Sequence, residues 1–257
     1  MHIDWTVTIL TALIIFFATI STGITGFGQA IIALGLLPFI RDPGSSTNII
    51  TIVSIFSSAQ MFWSLRSHFR VKPWAIAVIG LIFGLPLGVA LYDYLNPDQL
   101  RTAIAITILI SIALIFPVNQ LSSVQAWIRK SGYRPGWPIG VLAGFLGGFL
   151  GGAVAIPGPP MIIYGAFMVA AGFWTGSEMK AIFAGFFGTV MLYRAAALAI
   201  SGEVTVALLS ESAIVLPGIF IGVWIGLKVY NYIPRKMFGI IILALLAVNA
   251  IILLLKQ

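Results

Sequence analysis

Long apolar segments separated by short polar turns dominate this chain. A run of about 20 apolar residues is long enough to cross a bilayer as a helix. Spanning helices are predicted at about 48–65, 74–92, 100–116, 179–200, 205–228 and 237–255. Two further apolar units, at about 5–40 and 137–172, are interrupted inside. The pattern therefore predicts an all-α polytopic membrane protein.

The interruptions are rich in residues that an ordinary membrane helix does not need. The stretch 144–164, GFLGGFLGGAVAIPGPPMIIY, holds six glycines and three prolines, and 23–28 reads GITGFG. Glycine lets backbones approach closely, while proline removes an N–H donor and bends or stops a helix. Broken helices of this kind form the midplane sites of many secondary transporters. The alternative interpretation is a tightly packed glycine-rich helix pair with one proline kink.

Composition strengthens the membrane assignment and removes several classes of function. Of the 257 residues 60% are hydrophobic and 8% are charged, whereas a soluble domain carries roughly 25% charged residues. The net charge of +7 is interpreted as basic cytoplasmic loops and not as a nucleic-acid surface. With no cysteine and no histidine inside a predicted span, thiol, Ser–His and zinc chemistry are not expected. We therefore expect neither an enzyme nor a metal or cofactor.

Residues of the first half recur in the second half. Gly80, Gly84, Gly88, Tyr92 and Tyr94 return at one constant offset as Gly218, Gly222, Gly226, Tyr230 and Tyr232. The broken units match more loosely, as Gly26 and Phe27 with Gly148 and Phe149, and Pro38 with Pro160. Glycines four apart lie on one helix face and allow close crossing. We expect the two glycine rows to partner each other within one chain; packing between two chains is the alternative, so the chain is a monomer or a homodimer.

The recurrence predicts an internal duplication. The first membrane repeat is placed at 1–118, a cytoplasmic basic link at 119–136 and the second repeat at 137–257. Each repeat would hold one broken unit and three spanning helices.

Charge in the loops predicts that the two repeats are inverted. The loops 66–72, 119–136 and 228–236 are basic and are placed in the cytoplasm, while 201–203 has no basic residue and is placed outside. Inversion requires each broken unit to leave and return on one side. Such a unit is too short for two full spans of about 20 residues, so two short or re-entrant helices meeting near the midplane are expected. The alternative is one crossing per unit, with eight spans and parallel halves.

Two charged residues inside predicted spans are candidates for function. Arg194 lies in the middle of the span 179–200, and an intramembrane arginine is by default a functional hypothesis. Its planar guanidinium suits the edge of a carboxylate or sulfonate. The alternatives are a structural pair with Glu211 or a side chain that reaches the membrane interface. Glu211 is a candidate for proton coupling, or simply the counter-ion of Arg194.

Neutral polar residues inside the spans are interpreted first as cross-helix hydrogen-bond partners, with a polar path as the alternative. They are Asn48, Ser54, Ser57, Ser58, Gln60, Thr22, Thr25, Gln29 and Thr189. The tips of broken helices also offer free backbone N–H groups and a positive dipole end, and both suit an anion.

The two broken units resemble the motifs of the TauE/SafE sulfite-exporter family, also called TSUP. Residues 22–28, TGITGFG, leading to Pro38 resemble the first motif. Residues 144–152, GFLGGFLGG, leading to Ile156 and Pro157 resemble the second. The length, the duplicated plan and the basic link also fit, so the resemblance covers essentially the whole chain.

One departure from the family pattern concerns the first motif. It has Gln29 and Ala30 where the second motif keeps Gly151 and Gly152. The first half is therefore expected to present a side chain, and not bare backbone, to the ligand.

The resemblance implies a permease of the bacterial inner membrane for small sulfur-containing or organic anions such as sulfite or a sulfonate. We expect alternating access, with proton coupling as an option, and the lipid bilayer and the anion as the partners. A passive anion channel and a non-transporting assembly subunit are the alternatives. The expected substrate-binding residues are Arg194, Gly26, Phe27, Gly28, Gln29, Gly148, Gly151, Gly152, Pro157 and Gly158, with Glu211 for proton coupling.

Overall fold

The computed structural model describes residues 4–230 together with 232, 247 and 251. Its helices are α1 Trp5–Thr25, α2 Gln29–Leu36, α3 Pro43–Leu65, α4 Val71–Tyr94, α5 Pro97–Gln120, α6 Ser122–Ser131, α7 Trp137–Val154, α8 Gly158–Ala170, α9 Gly176–Ile200 and α10 Val206–Val229. Short 3₁₀ turns follow α2 and α3, at Leu37–Phe39 and Arg66–His68. Apart from positions 247 and 251, the predicted last span at 237–255, with Arg235 and Lys236, lies outside the described residues.

Seven of the described helices are long and apolar enough to cross a membrane: α1, α3, α4, α5, α7, α9 and α10. The apolar helices α2 and α8 are shorter, with 8 and 13 residues. The prediction of an all-α polytopic membrane protein is confirmed. The predicted link 119–136 contains a helix of its own, α6, which carries Arg129 and Lys130 in its last turn.

Polar residues in the predicted turns begin the spanning helices. The Asp42 carboxylate accepts a hydrogen bond from the Ser45 backbone N–H at the start of α3, at 2.9 Å. Asn96 and Thr175 form capping boxes at the starts of α5 and α9. These side chains satisfy donors that a helix start would otherwise leave unpaired.

Both predicted breaks are present, and both begin with a residue in the left-handed conformation. Gly26 ends α1 with φ 89°, and Ala155 ends α7 with φ 57°. The spacing along the chain from the end of α1 to the end of α7 equals the spacing from the start of α2 to the start of α8. By its position at the end of its helix, Gly26 therefore corresponds to Ala155, whereas the looser sequence match pairs it with Gly148.

Each broken unit folds back on itself. Arg41, beyond α2, lies against Thr11 in the first half of α1, with 3.4 Å between Nη1 and Oγ1. In the second unit the rings of Tyr133 and Phe167, before α7 and near the end of α8, stack edge to face with centroids 6.1 Å apart. Both units thus fold back along their first arm, and these first arms, α1 and α7, are longer than the short helices expected. Re-entrance into the membrane stays a prediction.

The glycine rows pack within the chain but not against each other, which corrects the expected pairing. Gly80, Gly84 and Gly88 of α4 face the backbone of α7, and a methyl group at any of them would overlap a carbonyl oxygen there. Gly222 and Gly226 of α10 face the backbone of α1 in the same way. Each row therefore packs on the first helix of the opposite half.

The helices α3 and α9 lie side by side in opposite directions. Thr47, near the start of α3, accepts a hydrogen bond from Arg194 near the end of α9 at 3.3 Å. Further along, Gly188 lies against Ser58. Opposite directions for these matched helices are what inverted halves require, while the duplication itself stays a prediction.

Two of the basic segments lie at the same end of the molecule. The Arg70 guanidinium donates to the Phe173 carbonyl oxygen at 3.3 Å. The guanidinium of Arg134 lies over the Phe173 ring, 4.9 Å from its centroid. The loop 66–72 and the link 119–136 therefore meet at the start of α9.

The two glycine rows give a matched test of packing. Gly80→Ala should lower the free energy of unfolding by about 1–3 kcal/mol, because the added methyl group meets rigid α7 backbone. Gly218→Ala, at the corresponding position of α10, has the Phe16 Cβ at 3.7 Å as its nearest neighbour, an ordinary contact. It should be neutral or stabilising by up to about 1 kcal/mol through helix propensity. Thermal unfolding in detergent measures both, and equal losses would contradict the described packing.

Candidate functional site

A small cavity lies between the two breaks and is walled on its other sides by α3 and α9. Its volume is about 50 Å³. Its lining residues are Thr22, Phe27, Gly28, Gln29, Ala30, Ile31, Ser54, Ser57, Ser58, Ile156, Pro157, Gly158, Phe187 and Met191. None of these lining residues is charged, so the polar groups of the cavity are hydroxyls, one amide and backbone.

Gln29 is the largest polar side chain in this lining, and it is 5% exposed. Its Oε1 accepts a hydrogen bond from the Ser57 hydroxyl at 2.6 Å. Its Nε2 is buried and has no hydrogen-bond partner among the described residues. A buried unpaired amide donor is costly, and a ligand that accepts hydrogen bonds would remove that cost.

The two helix starts at the cavity differ in the donors they offer. In α2 the Gln29 N–H donates to the Thr22 hydroxyl at 2.9 Å, and the following N–H groups belong to the open first turn. In α8 the first turn contains Pro159 and Pro160, which have no N–H. The first break therefore carries more backbone donors than the second, where Gly158 is the principal one.

Arg194 is 1% exposed and does not belong to the cavity lining. Its Nε donates to the Gly152 carbonyl oxygen at 3.0 Å, in the last turn of α7. Its Nη1 donates to the Thr47 carbonyl oxygen and to the Thr51 hydroxyl. Nη2 has no hydrogen-bond partner among the described residues, and the guanidinium lies 4.8 Å from the centroid of the Tyr92 ring.

Glu211 pairs with Arg41 and not with Arg194, so the alternative pairing considered from the sequence is wrong. Its two carboxylate oxygens accept from Arg41 Nη1 and Nη2 at 2.6 and 3.0 Å. The side chains are 10% and 16% exposed. Arg41 also donates to the Ser45 hydroxyl at 2.6 Å. This two-pronged ion pair ties the end of the first broken unit to α10.

Half of the ten residues expected to bind substrate line the cavity: Phe27, Gly28, Gln29, Pro157 and Gly158. Three others, Gly148, Gly151 and Gly152, lie inside α7. Gly148 and Gly152 face the backbone of α4, and Gly151 faces Val190 and Pro157. Contact of these glycines with an anion stays a prediction; in the described structure they are positions of close helix packing.

Two buried or partly buried cations were missed by sequence reasoning. Lys180, 4% exposed, donates from Nζ to the Gly23 carbonyl oxygen at 3.3 Å, and Gly26 lies against its side chain. It stands one residue after the predicted start of its span, where a lysine is normally a flanking charge. Arg41 was assigned to a turn. In both cases the partner is far away in sequence, at separations of 157 and 170.

Comparison with known proteins gives one match. The sequence model of the family described as sulfite exporter TauE/SafE matches residues 11–253. No curated protein and no solved structure matches the chain.

Removal of one partner of the Arg41–Glu211 pair should destabilise the protein. Arg41→Met or Glu211→Leu alone should cost about 3 kcal/mol, because the remaining charge is left largely out of water. The double variant should recover much of that loss, whereas Arg129→Met on the exposed face of α6 should cost less than about 0.5 kcal/mol. A double-mutant cycle of thermal unfolding in detergent measures the coupling. Additive losses would show that the two residues do not interact.

Proposed function

Since the chain belongs to the TauE/SafE sulfite exporter family of membrane transporters, we propose that it carries sulfite or a closely related small anion through the cavity between its two breaks. The observation that carries the proposal is the convergence of both broken units on one small, uncharged cavity, whose mostly apolar lining also includes the Gln29 amide and four hydroxyl groups. Irregular backbone is tolerated at membrane depth where it lines such a cavity. Neutral donors can hold an anion without a fixed counter-charge in contact with it.

The size of the cavity favours a small anion. One water molecule needs about 10–15 Å³ on this scale, so roughly three to five water-sized groups fill the cavity. Sulfite, a sulfur with its oxygens, is of this size. A sulfonate with an organic chain would require the cavity to enlarge. Among the anions implied by the family, sulfite is therefore the proposed substrate.

Specific groups are proposed for binding. The unpaired Gln29 amide and the open first turn of α2 would donate to the anion from one break, and the Gly158 N–H from the other. Arg194 lies one helical turn beyond the lining residue Met191 and would contribute positive potential; its direct contact with the anion stays a prediction. No step requires covalent chemistry, which fits a transporter better than an enzyme.

Alternating access is the proposed mechanism. The glycine-packed pairs α1–α10 and α4–α7 each join the two halves, so they can move as units against α3 and α9. The Arg41–Glu211 pair ties the end of the first broken unit to α10, and we propose that access from that end requires this pair to separate. Protonation of Glu211 would weaken the pair, and this is the form in which we propose proton coupling.

The two alternatives have their own signatures. A passive channel would show flux without saturation and without counterflow. A non-transporting subunit would show no flux of any anion from folded protein. The presence of a buried unpaired amide at the cavity favours a binding site over both.

We further propose, from the family resemblance, that the protein resides in a bacterial inner membrane with its basic segments in the cytoplasm. Since the chain has no cysteine, single reporter cysteines test this directly. A membrane-impermeant maleimide should label the cysteine of a Ser67→Cys protein from the cytoplasmic side. It should label that of a Ser201→Cys protein from the opposite side. Ser67 follows the end of α3 and Ser201 follows the end of α9, and both residues are exposed. Because α3 and α9 run in opposite directions, the two serines lie at opposite ends of this helix pair. Labelling of both from one side would overturn the proposed orientation.

Transport by purified protein in proteoliposomes is the direct test of function. We expect saturable sulfite flux with counterflow. Gln29→Leu should raise KM for sulfite at least about tenfold, because it removes a hydrogen bond to a charged ligand. Gln125→Leu on α6, outside the cavity, is the matched control and should leave KM unchanged. Saturable flux with an unchanged KM in Gln29→Leu would move the site away from this cavity.

A further inference from the structure

Helix α9 forms part of the cavity wall. It carries one buried cation before, and one after, the two residues that line the cavity. Lys180 and Arg194 are about four helical turns apart, so about 21 Å of helix separates them. Phe187 and Met191, which line the cavity, lie between them. The four positions fall on one face of α9, because the steps from each to the next are i+7, i+4 and i+3, which return to the same side of a helix. Lys180 has no role in the function proposed above.

Each of the two cations reaches the carboxyl end of one broken helix. Lys180 Nζ donates to the Gly23 carbonyl oxygen of α1 at 3.3 Å. Arg194 Nε donates to the Gly152 carbonyl oxygen of α7 at 3.0 Å. Gly23 lies two positions before the last residue of α1, and Gly152 lies two positions before the last residue of α7. The two contacts are therefore equivalent in position, although both cations come from the same helix.

The aromatic surroundings repeat as well. The Lys180 Nζ lies 3.2 Å from the centroid of the Tyr230 ring, and the Arg194 guanidinium lies 4.8 Å from that of Tyr92. Tyr92 and Tyr230 are one of the pairs that recur at the constant offset between the halves. Neither α1 nor α7 has a basic residue of its own in its last turn. The cations supplied by α9 thus occupy two built sites, each with a carbonyl oxygen and a ring face.

The electrostatic consequence concerns the cavity. At each break one helix ends and another begins, so a negative dipole end (α1 or α7) lies beside a positive one (α2 or α8). The negative end repels an anion in the cavity and the positive end attracts it, and each end is equivalent to roughly half an elementary charge. A full positive charge at the negative end leaves the positive end dominant. Burial of both cations strengthens their effect.

We propose that Lys180 is a positioning residue for the anion site. It neutralises the carboxyl end of α1 and holds the first break in place, as Arg194 does for α7, so that the donors of α2 and α8 dominate in the cavity. This inference rests on the proposed function, because it assumes an anion in that cavity. Lys180 acts through its charge and does not touch the ligand.

The test separates charge from hydrogen bonding and from packing. Lys180→Arg keeps charge and donor, Lys180→Gln keeps a donor alone, and Lys180→Met keeps neither. Lys228→Met is the matched control, since Lys228 is exposed at the end of α10 with its Nζ 3.9 Å from the centroid of the Trp224 ring. Equilibrium binding of radiolabelled sulfite to purified protein in detergent gives Kd, and flux in proteoliposomes gives KM and maximal rate.

We expect Kd and KM for sulfite to rise at least about tenfold in Lys180→Met and Lys180→Gln, with a smaller change in maximal rate. Lys180→Arg and Lys228→Met should stay near the unmodified protein. Restoration by Gln as complete as by Arg would overturn the charge role, and an unchanged Kd in all three variants would overturn the inference altogether. If Lys180→Met does not fold, the comparison of Gln with Arg decides.

The two proposals fail differently. Unmodified protein that binds sulfite without saturable flux would refute transport, while the Kd series would still decide the role of Lys180. Unmodified protein that binds no sulfite would refute both. Saturable flux with an unchanged Kd series would refute the role of Lys180 alone.

Discussion

A helix that ends within a membrane protein must have its last carbonyl groups satisfied by the protein itself. This constraint governs the centre of the molecule. At both breaks a residue in the left-handed conformation satisfies one carbonyl through its own N–H, and a buried cation from α9 satisfies another. These partners satisfy carbonyl groups that the helix ends would otherwise leave unpaired.

Close helix packing holds the broken helices where the cations can reach them. Glycine rows let α4 lie directly on the backbone of α7, and α10 on that of α1. Each of these pairs joins one half of the chain to the other. The remaining pair, α3 and α9, lies between the breaks and completes the cavity wall. Each half therefore packs its glycine row on the broken helix of the other half, and the cavity is formed by both halves together.

In the proposed site, the cavity and its surroundings contribute differently to the binding of an anion. The cavity lining is uncharged, and its polar groups are the Gln29 amide, hydroxyls and backbone. The positive charges lie behind the wall, fixed by carbonyl oxygens and by Tyr92 and Tyr230. We regard this arrangement as suited to a transporter, which must bind its substrate and let it go. Membership of the TauE/SafE family agrees with that interpretation.

The sequence by itself determined the single spans among the described residues, both breaks and the candidate role of Gln29, because apolar length, glycine and proline act locally along the chain. It could not determine which groups meet. Arg41 finds Glu211 across 170 residues, and Lys180 finds Gly23 across 157. The register of the broken units also came from their helix ends, since glycine-rich sequence matches itself at more than one spacing. Only the tertiary structure decided these pairs, because a buried charge is satisfied by whatever packing brings within reach.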